Sequence, residues 1–364
     1  MQGYDDSSDS ETMSAGHSLS SRASTLASEM GEPETEWRSI TSSVWNHDYE
    51  SGRRYHHFRS GRYLYPNDDE EQSREEAAHV LYSELLDHRS FLAPVANGPR
   101  KIINLGCGPG FWAVDVADKF PEAQVVGVDL SPIQPLWVPP NVSFLVDDIE
   151  DHEWTFGGDF DLVYMRQTLM HVRGDFDDLF ARVFNWFETH DERCTLITMA
   201  PLETPLPLSD TPNQAVAPEA RRLICPDMGL GRITKLCHQA VRGSWAPEEL
   251  EPAAQRRALE AAGFVNVRDE RFDMPMGPWP DDPRLKYIGL MKHEDLLAYV
   301  DPISLKPLQN LGLSPSEIND AVQDALEMIN DASLRLAMPL AVIYAQKPTG
   351  ADQAARQDPN ANTP

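Results

Sequence analysis

Short apolar runs alternate with helix-spaced segments through the middle of the chain. KIINL (101–105), QVVGVD (124–129) and VSFLV (142–146) are long enough for buried strands and are closed by Gly or Asp. FDLVYM (160–165) and CTLITM (194–199) repeat the pattern, with helical periodicity at 111–119 and 175–187 between runs. Alternation at this pitch predicts an open, mostly parallel sheet with helices on both faces. Further on, 247–262 predicts a helix stopped by Gly263, and 264–269 a strand. Stretches 283–299 and 314–330 predict two more helices, and PLAVIYAQK from Pro339 a last strand. Upstream, DDEEQSREEAAHVLYSELLDH (68–88) opens acidic, as a helix N-terminus favours, and sets Ala77, Val80, Leu81 and Leu85 at helical spacing.

Composition divides the chain further. Residues 1–43 are rich in Ser, Asp, Glu and Thr and bury too little to offset the entropy of ordering, and 349–364 have the same character. Between these expected loose tails lie an N-terminal helical lid (44–98), a core (99–200), a proline-rich insertion with a helix near 218–241 (201–245), and a remainder with a helical cap (246–348). The 41% hydrophobic content supports a sizeable core. No run approaches a bilayer span and no secretory leader opens the chain, so the expected compartment is cytoplasmic. The four cysteines form no Cys-x-x-Cys pair, and His47, His56 and His57 have no carboxylate or cysteine at ligand spacing, so no metal is expected. A formal charge of −27 argues against direct contact with nucleic acid, whose affinity comes from displaced counterions.

Candidate chemistry gathers at the ends of the predicted strands, where open sheets of this kind bind ligands. Gly106, Cys107, Gly108 and Gly110 form a turn of three glycines after the first run, which leaves bare main chain for a ligand to approach. The dinucleotide fingerprint needs its third glycine one residue later, where Phe111 stands, so a nicotinamide cofactor is disfavoured. Asp129, followed by Leu130, is placed to accept from the hydroxyls of a ribose; Asp148, beside Asp147 and Ile149, is placed to accept from an exocyclic amine. Each acid equally suits a cap or turn. Met165 and Arg166 close the fourth strand. His171 just beyond is the candidate general base, though a packed structural histidine fits as well. The segment Arg53–Tyr65 is basic and aromatic in an acidic chain, and reads either as a lid whose Tyr63 covers the ligand and whose arginines meet its carboxylate, or as a strip docking the N-terminus on an acidic body. Trp112, Trp137 and Trp154 read as packing around the cleft. Met170, Met199, Met228, Met274 and Met276 read as core filling or an adaptable lining.

The stretch from IINLGCGPGFW through DLSPIQPLWVPPNV to FLVDDIEDHEWTF resembles the fungal LaeA-like methyltransferases, with further similarity in GRRYHHFRSGRYLYPNDDEEQSRE, FDLVYMRQTLMHV and LAVIYAQKP. The resemblance spans roughly 45–348. It implies a class I methyltransferase fold, Rossmann-like, with a seven-stranded, mostly parallel sheet whose last strand is antiparallel, and S-adenosyl-L-methionine as cofactor. It also implies a small-molecule acceptor in secondary metabolism, or alternatively a regulator of secondary-metabolite genes with protein partners in a nuclear complex. Asn104 departs from the pattern, standing where the family usually carries an aspartate.

Overall fold

The computed structural model describes residues 45–95, 98–154, 158–186, 195–201, 227–243 and 249–349, with the backbone alone for 196–197 and 199–201. The expected tails, most of the 201–245 insertion and the side chain of Met199 lie outside the described residues.

Strands β1 (His47–Glu50) and β2 (Arg53–His56) form an antiparallel hairpin turned at Ser51 and Gly52, both with positive φ. Glu50 stands opposite Arg53 and Tyr49 opposite Arg54, and the segment lacks the apolar alternation that would predict strands. Helix α1 (Asp69–Leu85) is capped by Asp68, whose carboxylate accepts from the Glu71 amide at 3.1 Å and holds Arg53 at 2.6 and 2.8 Å. Its buried face is Glu71, Ala78, Leu81, Tyr82 and Leu85; Ala77 and Val80, expected inside, are exposed. The face is therefore rotated from the expected one, and it carries charged residues.

Then come β3 (Lys101–Leu105), α2 (Phe111–Lys119), β4 (Gln124–Asp129), β5 (Val142–Val146), β6 (Leu162–Arg166), α3 (Phe176–Trp186) and β7 (Thr195–Pro201). After α4 (Gly229–Arg242) and α5 (Pro252–Ala261) follow β8 (Val265–Pro275), α6 (Pro283–Asn310), α7 (Pro315–Asn330) and β9 (Ala337–Gln346). The large sheet runs β5-β4-β3-β6-β7-β9-β8; β9 pairs antiparallel with both neighbours and the other pairs are parallel. Period-two alternation splits the core. Ile103, Leu105, Val128 and Met165 pack with α3 and α5 on one face, whereas Ile102, Val125, Leu162 and Tyr164 pack with α1 and α2 on the other. A third cluster joins α4, α6 and α7 through Ile233, Val300, Ile303, Ala321 and Ala325.

Helix α6 runs through Pro302 and Pro307, past the expected end at Tyr299. Each proline removes a backbone donor, yet both rings are buried and Ile303 and Leu308 pack beside them in the third cluster. Burial among neighbouring helices outweighs local propensity here.

Candidate active site

The turn between β3 and α2 opens onto a cleft walled by the ends of β3, β4, β5 and β6, by α1 and by the segment leading into α1. Its empty volume, open solvent at the mouth included, is about 1370 Å³. Of the residues anticipated from sequence, Gly106, Cys107, Gly108, Asp129, Leu130, Asp147, Asp148, Ile149, Arg166, Tyr63 and His171 line it.

Gly110 and Met165 do not. Gly110 sits at φ 85°, and a Cβ there would stand 2.5 Å from Phe144 Cζ, so its missing side chain makes room for the protein's own ring. Met165 points to the α3 face because Tyr164 and Arg166, its strand neighbours, point to the cleft. Gly106 likewise yields to Thr168. Gly108 is different: at φ 55°, its Cβ would meet only the Glu75 carboxylate, at 3.2 Å, across the cleft floor. Bare main chain thus faces the cleft at Gly108, and the two flanking glycines serve packing.

Asp129 anchors this floor. Its Oδ2 accepts from the Gly108 amide at 2.8 Å and its Oδ1 from the Ser131 amide at 3.0 Å. Burial pushes its pKa up, and the amides of Gly108, Ser131 and Leu130 hold it back down. Asp148 is 2% exposed; its Oδ2 accepts from Arg62 Nε at 3.0 Å and its Oδ1 from the Glu150 amide at 2.9 Å. Asp147 accepts the Asp148 amide at 2.8 Å.

The basic segment divides its work. Arg53 pairs with Asp68, Arg59 with Asp151, and Arg62 with Asp148 and with Glu150 at 3.2 Å, so these arginines dock the segment on the acidic body. Tyr63 and Tyr65 face the cleft and close around His171, with ring centroids 4.7 and 4.9 Å away in edge contact. These arginines are thus committed to acids of the body rather than free for a ligand's carboxylate, while Tyr63 and Tyr65 line the cleft. His56 is buried beneath it, its Nε2 3.3 Å from the Arg59 carbonyl, rather than solvated.

His171 is held neutral: burial lowers its pKa to about 3, with no carboxylate among the described residues to oppose the shift. A ring with so little affinity for a proton is a poor general base. Arg166 lies against the neutral side of His79, Nη1 to Nδ1 at 3.1 Å, and over the Tyr82 ring at 5.3 Å. Among the described residues no carboxylate pairs with it. Trp112 stacks on Tyr164 at 3.8 Å, both lining the cleft; Trp154 packs on Trp186; Trp137, expected to pack, is exposed. Of the methionines, Met274 and Met276 fill the core, Met170 packs at its margin and Met228 is exposed.

Sequence reasoning missed Glu75, Tyr299, Gln167 and Thr168, which also line the cleft. For Glu75 a signal existed: with Glu71, Ala78 and Tyr82 it lies at i, i+4, i+7 and i+11 of one helix face.

The chain is similar to known methyltransferases. Residues 77–210 match the model of a family described as a methyltransferase domain. The chain is 32% identical over 322 residues to methyltransferase pytC of Aspergillus terreus, covering 85% of this chain and 91% of that protein. It is 31% identical over 274 residues to the secondary metabolism regulator LAE1 of Cochliobolus heterostrophus, covering 71% and 80%. It is 30% identical over 302 residues to the regulator laeA of Fusarium oxysporum f. sp. lycopersici, covering 80% and 88%. A solved coclaurine N-methyltransferase bound to N-methylheliamine and SAH aligns at 14% identity and a TM-score of 0.41, over 79% of this chain and 75% of that one.

Proposed function

Since this chain belongs to the fungal LaeA-like family of class I S-adenosyl-L-methionine-dependent methyltransferases, we propose that it methylates a small-molecule intermediate of secondary metabolism. The observation that carries the reading is the cleft floor, where Gly108 leaves room no other residue would leave and Asp129 presents a carboxylate beside it. That donor set suits the cofactor. Asp129 accepts from the ribose, Leu130 and Ile149 flank the base, and Asp148 with Asp147 accepts from its exocyclic amine. Arg166, without an anionic partner among the described residues, takes the methionine carboxylate.

When bound, the cofactor supplies a methyl group on a sulfonium, ready for in-line displacement. The chain's own share is positioning and exclusion of water. Tyr63, Tyr65 and Tyr299 are kept un-ionised by burial and present neutral rings to the acceptor. His171, pinned by the first two, shapes the site rather than taking a proton. In this reading 99–200 is the cofactor-binding core, 44–98 the lid, and α4, α6 and α7 a helical cap over the acceptor end.

The test is transfer of label from S-adenosyl-[methyl-³H]methionine in an extract of the source fungus. Tritium in solvent-extractable small molecules supports the proposal, and tritium confined to protein overturns it.

One observation favours the alternative, a regulator with protein partners. Leu136 and Trp137 stand 86% and 95% exposed on the loop after β4, within DLSPIQPLWVPPNV, an apolar pair suited to a partner's surface. A fluorescent fusion gathering in the nucleus supports that reading, and an even cytoplasmic signal supports the enzyme.

A further inference from the structure

The acids around the cleft differ in what already holds them. Asp129 takes the backbone amides of Gly108, Ser131 and Leu130; Asp148 takes Arg62 and the Glu150 amide; Glu150 takes Arg62 and the amides of Arg173 and Gly174. Glu71, deep beneath α1, is held by Arg74 at 2.7 Å. Glu75, one helical turn after Glu71, accepts no hydrogen bond and joins no ion pair among the described residues. Its Oε2 is nevertheless directed at the floor, 3.2 Å from where a Cβ on Gly108 would stand.

The groups around Glu75 do not neutralise it. On its own helix stand Glu71 and Arg74, and Arg74 is committed to Glu71 and, at 2.8 Å, to Asp295. From the sheet ends come Asp129, the Cys107 thiol and Arg166, and from the segment before α1 comes Tyr63. Asn104, on the same floor, is neutral, and its amide nitrogen donates to the Tyr164 carbonyl at 3.2 Å, so it brings no charge. The amino-acid end of the cofactor is a zwitterion beside a sulfonium. A guanidinium and an ionisable acid, neither with an ion-pair partner among the described residues, therefore face one ligand that carries both charges.

We propose that the Glu75 carboxylate receives the α-ammonium group of the cofactor, opposite Arg166 on its carboxylate. The inference rests on the cofactor assignment above and names the residue that reads the amino group.

A protonic consequence follows. Burial, then Glu71 and Asp129, push the Glu75 carboxyl up to about 8, against the opposing pull of Arg74 and Arg166. Near pH 7 the free protein holds this acid mostly protonated, and a cation set against it favours the ionised form. Binding at pH 7 therefore releases close to one proton, roughly 0.9 by mass action. Affinity rises with pH from about 6 to 8, then levels, because the ligand prefers the form that populates above the free-state pKa.

The experiment is calorimetric titration of the full chain with S-adenosylhomocysteine and with its analogue lacking the α-amino group, at pH 7 in buffers of different ionisation enthalpy. The wild type is expected to prefer the amino ligand by roughly 10- to 100-fold, the worth of a charge-assisted hydrogen bond, and to release close to one proton with that ligand alone. Glu75→Gln should bind the two ligands about equally and release none, and Glu75→Asp should restore part of the preference. A wild type that binds the cofactor product without proton release, or a Glu75→Gln protein that keeps the preference, overturns the proposal and leaves the cofactor assignment standing. A wild type that binds neither ligand overturns both. If Glu75→Gln does not melt cooperatively, the wild type decides alone: a pH dependence confined to the amino ligand supports the assignment, and equal dependence for both ligands overturns it.

Discussion

Replacing Gly110 with alanine separates the two uses a glycine turn can have. Gly110 caps α2 at φ 85° and ψ 9°, left-handed backbone that costs an L-residue roughly 1 to 2 kcal/mol. The new methyl carbon would stand 2.5 Å from Phe144 Cζ and 2.7 Å from Cε1, inside contact distance. The ring cannot readily swing aside, since Gly127 already approaches its other atoms so closely that a Cβ there would lie 2.5 Å from Cδ1. Overpacking of this kind costs about 1 to 3 kcal/mol, so Gly110→Ala is expected to lose about 2 to 5 kcal/mol in all. Phe144→Leu shortens the obstructing group, and the double variant should recover roughly 1 to 2 kcal/mol relative to the sum of the singles. The assay is equilibrium urea unfolding of the ligand-free protein, read from the midpoint at constant slope. A Gly110→Ala protein that unfolds at the wild-type midpoint yet loses cofactor affinity would refute the argument, because the missing side chain would then serve the ligand and not Phe144.

Four further outcomes follow from the same structure. Asp129→Ala should weaken cofactor binding by about 1 to 3 kcal/mol through the lost ribose acceptor, measured by titration, and unchanged affinity would put the ribose elsewhere. Glu75→Gln should make the ligand-free protein more stable than the wild type above pH 8. The folded-state pKa of Glu75 is raised to about 8, so the wild type loses stability as pH rises from the unfolded value through 8 and the glutamine variant does not; calorimetric melting at pH 6 and pH 8.5 checks the sign. His171→Gln should lower the methyl-transfer rate by less than about tenfold and leave the pH–rate profile between pH 5 and 8 unshifted, since burial keeps the wild-type ring neutral there; a lost acidic limb would restore it as the base. Arg74→Met should cost about 3 to 5 kcal/mol by leaving Glu71, 2% exposed, without its partner, which chemical unfolding measures directly.

What could be read in advance follows from how locally each feature is determined. Strands β3 and β4 stand where their apolar runs stand, because a parallel strand buried on both faces needs little more than such a run closed by a turn residue, and the half-buried edge strand β5 follows its run as well. Asp129 and Asp148 were legible for the same reason, since strand ends fix their place. Met165 was misjudged although the period of two that put Tyr164 and Arg166 on the cleft side was visible in the sequence. Helix α6 was cut short because local rules stop a helix at Pro302, and only packing against α4 and α7 overrides them. The contact of Gly110 with Phe144 joins a helix cap to a strand distant in sequence and had no local trace. Glu75 was hidden in an acidic run whose obvious role was to begin a helix, and its meaning depends on how α1 is rotated against the sheet.

In the proposed function, the cleft over Gly108 holds a sulfonium nucleoside with its ribose on Asp129. Calorimetric titration of the full chain with S-adenosylhomocysteine, set beside Asp129→Ala, tests it most directly. The wild type should bind saturably and one-to-one, and the variant should bind about 1 to 3 kcal/mol more weakly. Absence of binding by the wild type, or equal affinity in the two proteins, would contradict it.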